Sequence, residues 1–284
     1  MRTILVPTDF SKNAKNALDY AASVAKKENS KLILLHAFHI FYPSSEIPVA
    51  MVVEEVSGTQ KKAEEELNKL CLEIKKNKKL KCDFICREGL AVDILLEVSR
   101  KIRPDLIIMG TKGASGIREV ILGSNTAKVI EKAICPVIAV PAGASFKGIR
   151  NIVFSTDYHE SDVNALKKTT GIAKIFGSRI NILHASDREF TQEVEEGLMR
   201  QFMKTVSKKI KYSKISSLVK YGELPENILQ DYIKKKKPDL IAMSTQRRSL
   251  LEKLFGTSIT KKMAYHTNVP LLAFHHKHES VVFI

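Results

Sequence analysis

The chain carries the same succession of strand-like runs twice. Thr3-Ile-Leu-Val-Pro-Thr-Asp9 matches Asn151-Ile-Val-Phe-Ser-Thr-Asp157, and Lys31-Leu-Ile-Leu-Leu-His-Ala37 matches Arg179-Ile-Asn-Ile-Leu-His-Ala185, both at an offset of 148 residues. Later landmarks keep an offset of 134: Arg103-Pro-Asp-Leu-Ile107 with Lys237-Pro-Asp-Leu-Ile241, and Cys135-Pro-Val-Ile138 with Val269-Pro-Leu-Leu272. The offset shortens because the first copy has a longer connection after its second strand, expected over residues 41–58. A repeat this long is a duplicated domain, not a solenoid unit of about 20–50 residues. The 284 residues are therefore expected to form two domains, 1–143 and 147–284, joined by the short Ala142-Gly-Ala-Ser-Phe-Lys-Gly148.

Within each copy, short Val/Ile/Leu runs alternate with amphipathic stretches. The first copy predicts strands at 3–7, 31–38, 80–86, 105–109 and 136–140. Between them it predicts helices at 11–28, about 58–77, 91–102 and 124–133. The first helix shows the 3.6-residue period in Ala14, Ala17, Leu18, Ala21, Ala22 and Ala25, with Ser11 placed to cap it. Continuous apolar strands belong to a parallel sheet covered on both faces. The alternating order makes the fold class α/β, with a doubly wound sheet and a ligand expected at the carboxyl ends of its strands.

Composition narrows the function classes. Hydrophobic residues make up 44% and charged residues 27% of the chain, ordinary for a soluble globular protein. No apolar run approaches the roughly 20 residues that span a bilayer, and the N-terminus enters a strand-like run without a signal pattern, so a cytoplasmic protein without a membrane partner is expected. The four cysteines (Cys71, Cys82, Cys86, Cys135) lie in the first half with no CxxC, and are expected to be reduced and structural, Cys82 and Cys86 sharing one strand face. The net charge is +15, with 22 Lys+Arg against 17 Asp+Glu up to residue 143 and 24 against 14 beyond it. The lysine runs, 75–79 and 234–237, fall at helix ends and lack interleaved aromatics for stacking bases. They read as solvated faces rather than a nucleic-acid surface.

One segment carries chemistry. The fourth strand opens through Gly110-Thr-Lys-Gly113, and after nine intervening residues Gly123-Ser124-Asn125 begins a helix. Glycines let backbone N–H groups approach an anion, and a helix N-terminus favours negative charge, so this strand–loop–helix suits a phosphate. It is not a P-loop, which closes on Gly-Lys-Ser/Thr, nor a dinucleotide fingerprint at the first turn of a βαβ unit. Ser124 and Asn125 would donate to phosphate oxygens, while Lys112 and Arg118 read as solvated loop cations. Met109 and Thr111 flank Gly110 at the same strand end. Asp9 ends the first strand, where it would either cap the following helix or meet a ribose or adenine, with Pro7 and Thr8 beside the base. Ala37 and Phe38 end the second strand, where backbone groups could read an adenine edge.

With Ile-Leu-Val-Pro-Thr-Asp9-Phe-Ser at the start, the glycine spacing in the middle and Cys135-Pro-Val-Ile-Ala-Val140 at the end, the first half resembles the ATP-binding members of the universal stress protein family, and the resemblance covers nearly the whole chain. It implies two tandem five-stranded domains of the adenine nucleotide α-hydrolase-like kind, packed through their last strands as an internal pseudo-dimer. It further implies ATP, with Mg2+, bound by Asp9 and Ala37 toward the adenosine and by the glycine loop around the phosphates.

The second half departs from this pattern. Ser244 and Arg247 stand where the first has Gly110 and Gly113, and one residue is missing before Gly256-Thr257. It is expected not to bind ATP in the same manner; Arg247 and Arg248 read as a solvated pair rather than an anion site. His275, His276 and His278 are too bunched to converge on a metal. His36 and His184 recur at one strand position, which points to a shared hydrogen-bonding or packing role. The apolar Val281–Ile284 is expected to cover a sheet edge or a partner chain. The expected function is a nucleotide-linked stress-response protein without a catalytic residue set. Slow ATP hydrolysis, a nucleotide-independent adaptor and nucleic-acid binding are the alternatives, and a homodimer is compatible with the chain.

Overall fold

A computed structural model describes residues 1–40, 49–111, 123–187, 191–244 and 268–275, without the side chains of 49–51. By its internal contacts the chain divides into two compact units, Met1–Phe146 and Lys147–Ile284, the division falling inside the 142–148 stretch.

The first unit runs β1 (Thr3–Pro7), α1 (Lys12–Glu28), β2 (Lys31–Phe38), α2 (Val49–Glu73), β3 (Cys82–Glu88), α3 (Ala91–Ile102), β4 (Leu106–Gly110), α4 (Ser124–Lys132) and β5 (Val137–Val140). Its strands pair in parallel in the order β3-β2-β1-β4-β5. The chain thus steps outward from β1 to β3, then returns past β1 to lay down β4 and β5. That reversal makes the gap beyond the β1 and β4 carboxyl ends the topological switch point, where α/β sheets hold their ligands. β4 and β5 are buried almost throughout, as their unbroken apolar sequence requires. Alanines at 14, 17, 21, 22 and 25 form the buried face of α1, and these small side chains let the helix lie close on β1 and β4.

Helix α2 departs from expectation by starting at Val49 rather than about 58, and by ending in a π-helical turn, Ile74–Lys78. The β-branched run Val52-Val53 and the pair Ser57-Gly58 read locally as connection, since Gly costs about 1 kcal/mol in a helix. Packing overrides that preference: Ala63, Leu67, Cys71 and Ile74 are buried along one stripe.

The second unit repeats the plan with β6 (Asn151–Ser155), α5 (Glu160–Phe176), β7 (Arg179–Ser186), α6 (Gln192–Lys209), β8 (Ile215–Tyr221), α7 (Pro225–Lys236), β9 (Leu240–Ser244) and β10 (Leu271–Phe274). Its parallel order is β10-β9-β6-β7-β8. One stitch is common to both units. Asp105 Oδ2 accepts from the N–H groups of Arg2 (2.7 Å) and Thr3 (2.9 Å), and Asp239 Oδ2 accepts from those of Arg150 (2.8 Å) and Asn151 (2.9 Å). The Pro-Asp of the repeat therefore ties the amino end of each unit's fourth strand to that of its first. Both lysine runs are exposed, Lys234–Lys236 in the last turn of α7 with Lys237 as its left-handed cap.

Candidate functional site

The β1–α1 turn is held by its own side chains. Ser11 caps α1, its hydroxyl accepting from Ala14 N–H at 3.2 Å, and Asp9 Oδ1 accepts from Ser11 N–H at 3.0 Å. Asp9 is thus not the cap itself; it braces the cap and stays exposed. Thr8 is buried, and its hydroxyl accepts from Phe10 N–H at 3.1 Å. Phe10 takes a left-handed backbone, φ 61°, that brings its ring 4.5 Å from that of His36. His36 Nδ1 meets the Thr8 carbonyl at 2.8 Å, so the histidine pins the turn rather than serving chemistry.

On the other side of the switch point, Thr111 N–H donates to Val140 O (3.0 Å) and its carbonyl accepts from Gly123 N–H (2.6 Å). Thr126 Oγ1 donates to Gly110 O at 2.9 Å. The start of α4 is therefore fastened to the end of β4. Gly123 is the cap residue and offers no side-chain acceptor, so the first N–H groups of α4 have no side-chain cap among the described residues. The buried Thr111 hydroxyl also has no hydrogen-bond partner among the described residues.

Between these two walls lies a cavity of about 370 Å3. Pro7 and Asp9 line it from β1, Met109 and Gly110 from β4, and Gly123, Ser124, Asn125 and Thr126 from the start of α4. Ala14 closes it from α1, and Ala91, Val92 and Leu95 from α3. Among the described residues its chemistry is polarised: an apolar floor, one carboxylate, and a helix N-terminus whose dipole and N–H groups favour an anion. Seven expected site residues converge here: Pro7, Asp9, Met109, Gly110, Gly123, Ser124 and Asn125.

The others are placed differently. Thr8 and Thr111 support the walls from within. Ala37 and Phe38 lie at the end of β2, outside this lining, and the Phe38 carbonyl is taken by Gly89 N–H at 2.7 Å. Alternation along β2 turns the Ala37 peptide groups to the same side as Leu35 O, beyond the last rung to Thr8 N–H. Gly113, Lys112 and Arg118 lie outside the described residues. Sequence reasoning missed Ala14, Ala91, Val92 and Leu95, which read as helix core. Gly89, between β3 and α3, is the signal the chain carries for this turn: its φ of +137° is a backbone that side-chain-bearing residues rarely adopt.

The model of the universal stress protein family matches residues 1–141 and again 148–275. The chain belongs to the universal stress protein family. A universal stress protein of Methanocaldococcus jannaschii is 28% identical over 139 residues, 49% of this chain and 81% of that protein. One from Synechocystis is 30% identical over 141 residues, again 49% of this chain and 85% of the relative. The crystal structure of a universal stress protein from Archaeoglobus fulgidus covers 96% of this chain and 98% of its own, with a TM-score of 0.72 at 18% identity, a likeness of fold. The two family matches coincide with the two copies of the repeat, so the duplication is of whole universal stress protein domains.

The second universal stress protein unit keeps the turn and alters the cleft. Tyr158, φ 66°, stacks on His184 at 4.3 Å, and His184 Nδ1 meets Thr156 O at 2.8 Å, repeating the Phe10–His36–Thr8 arrangement. At the position of Ala14, however, stands Asp162, whose Oδ2 accepts from Thr156 Oγ1 (2.9 Å) and Asp157 N–H (3.0 Å). At the position of Gly110 stands Ser244, whose buried hydroxyl has no partner among the described residues. Further polar groups gather beside the turn: Glu195, buried on α6, accepts from Ser186 Oγ at 2.9 Å and lies 3.3 Å from His184 Nε2. Burial, with the Glu195 carboxylate next, pushes the Tyr158 phenol well above its usual range. Arg247, Arg248, Gly256, Thr257, His276, His278 and Val281–Ile284 lie outside the described residues. No helix among the described residues is long and apolar enough to cross a membrane.

Proposed function

We propose that the first unit binds ATP, with Mg2+ carried on the phosphates, and that the chain acts in the cytoplasm as a nucleotide-linked regulator of the stress response. The observation that carries this reading is the cavity at the switch point, with Asp9 on one wall and the uncapped start of α4 on the other. Its volume falls in the roughly 300–1,000 Å3 range of small-molecule sites. The residues fit the ligand: Ser124 and Asn125 with their N–H groups for phosphate oxygens, Asp9 for ribose hydroxyls, and the apolar residues of α3 for the purine or sugar faces. We expect the site to bind nucleotide with at most slow hydrolysis, so that phosphate release stays slow.

The test is isothermal titration of nucleotide-stripped protein with Mg-ATP, beside Ala14→Asp. Aspartate is tolerated there in the fold, because Asp162 occupies the same position of α5, and an acid suits the first helical turn. Wild type should bind, and the variant should lose at least tenfold in affinity through a second carboxylate on the lining of the cavity that takes the anionic nucleotide. No binding by wild type at millimolar ATP would remove the nucleotide reading and leave the adaptor.

A further inference from the structure

We propose that Cys71 and Cys82 are a peroxide-reactive dithiol that closes an intramolecular disulfide between the end of α2 and the start of β3. Their Sγ atoms lie 2.8 Å apart, although the residues are 11 positions apart in sequence and sit on different elements. That is closer than two sulfur atoms come in van der Waals contact, and a small side-chain rotation brings them to a bond of about 2.05 Å. The pairings of Cys82 with Cys86, and of Cys135 with either cysteine of β3, are closed by distance. Cys86 follows Cys82 by four residues along β3, a separation of roughly 13 Å at about 3.3 Å per residue, and disulfides need Cα atoms within about 7 Å. Cys135 precedes β5, four strand spacings from β3, or roughly 19 Å.

The surroundings favour one thiol as nucleophile. The sulfur–sulfur contact with Cys82, with positive charge from Lys75 in the π-helical turn that follows, holds the Cys71 thiol below its usual range against the opposing effect of burial. Hydrogen bonding to Cys71 and burial push Cys82 far up, so it keeps its proton. Both residues are buried, which admits a small oxidant such as hydrogen peroxide rather than a bulky disulfide.

The chemistry balances in two steps. The Cys71 thiolate attacks one peroxide oxygen, the O–O bond breaks, and the departing hydroxide takes up the proton that Cys71 lost on ionising, leaving as water with sulfenic acid on Cys71. Cys82 then attacks the Cys71 sulfur, the S–O bond breaks, and the Cys82 proton leaves with the departing oxygen as water. Two thiols are oxidised, one peroxide is reduced, and two waters result.

The full chain, treated with hydrogen peroxide and then unfolded, should show two of its four thiols lost, a mass lower by two hydrogens, and one peptide pair linking Cys71 to Cys82. Dithiothreitol should restore all four. The Cys86→Ser/Cys135→Ser variant, which leaves the pair untouched, should go from two thiols to none. Three results would overturn the proposal: a linkage that includes Cys86 or Cys135, oxygen added to cysteine without linkage, or all thiols retained at a peroxide dose that oxidises free glutathione. None of these readouts depends on nucleotide.

Discussion

At the scale of single residues, Asp9 has two duties that can be separated. Its Oδ1 braces the α1 cap through Ser11 N–H, while the side chain as a whole faces the cavity. Asp9→Asn keeps an acceptor for Ser11 and removes the charge; Asp9→Ala removes both. Both variants should bind ATP about tenfold more weakly, roughly 1.4 kcal/mol. Only the alanine should also lower the melting temperature, by the few degrees that about 1 kcal/mol represents. Unchanged affinity in both would reduce Asp9 to a bracing residue. The sequence left precisely this choice open, because a carboxylate after a strand and before a helix looks the same in either role. Ser11 decided the capping half of it, since the short serine hydroxyl sits one residue before Lys12, where helix α1 begins.

At the scale of elements, the shared Asp105 and Asp239 stitches show how the duplication is written into the strands. Burial pushes the Asp105 carboxyl up, but the Thr3 and Arg2 N–H groups and the charged amino terminus outweigh it, and the net shift is downward. A depressed folded-state value means the stitch contributes fully above the ordinary carboxylate range and is lost as pH falls through the depressed value. Asp105→Ala should therefore cost stability at neutral pH, about 1 kcal/mol given its exposure, and the deficit should vanish in acid. A deficit that persists unchanged at pH 2, by denaturant titration, would rule the stitch out. Strands and most helix ends were legible because period and capping agree with packing there. The start of α2 was not, since Gly58 and the valines before it are poor local helix formers and the buried stripe from Ala63 to Ile74 outweighs them. The α3 wall escaped for a related reason: Ala91, Val92 and Leu95 are apolar, and only the folded topology distinguishes a core face from a cavity floor.

At the scale of the whole chain, duplication followed by divergence gives a protein with unequal halves. The aromatic–histidine contact at the first strand–helix turn, the histidine's bond to the turn carbonyl and the Pro-Asp stitch recur in both units, because they hold the domain together. What differs lies at the switch point, where Ala14 and Gly110 are answered by Asp162 and Ser244. A carboxylate and an added hydroxyl there oppose an anionic ligand by charge and by space, so nucleotide should occupy one site per chain. Hydrogen exchange reads this directly. Saturating Mg-ATP, at about 100 times its dissociation constant, stabilises the state that binds it by about 2.7 kcal/mol. Amides of residues 8–14 and 123–132 should slow, while those of 155–165 should keep their ligand-free rates. Equal slowing at both sets, with two nucleotides per chain by titration, would mean that Asp162 rotates out of the cleft and that the second unit binds as well.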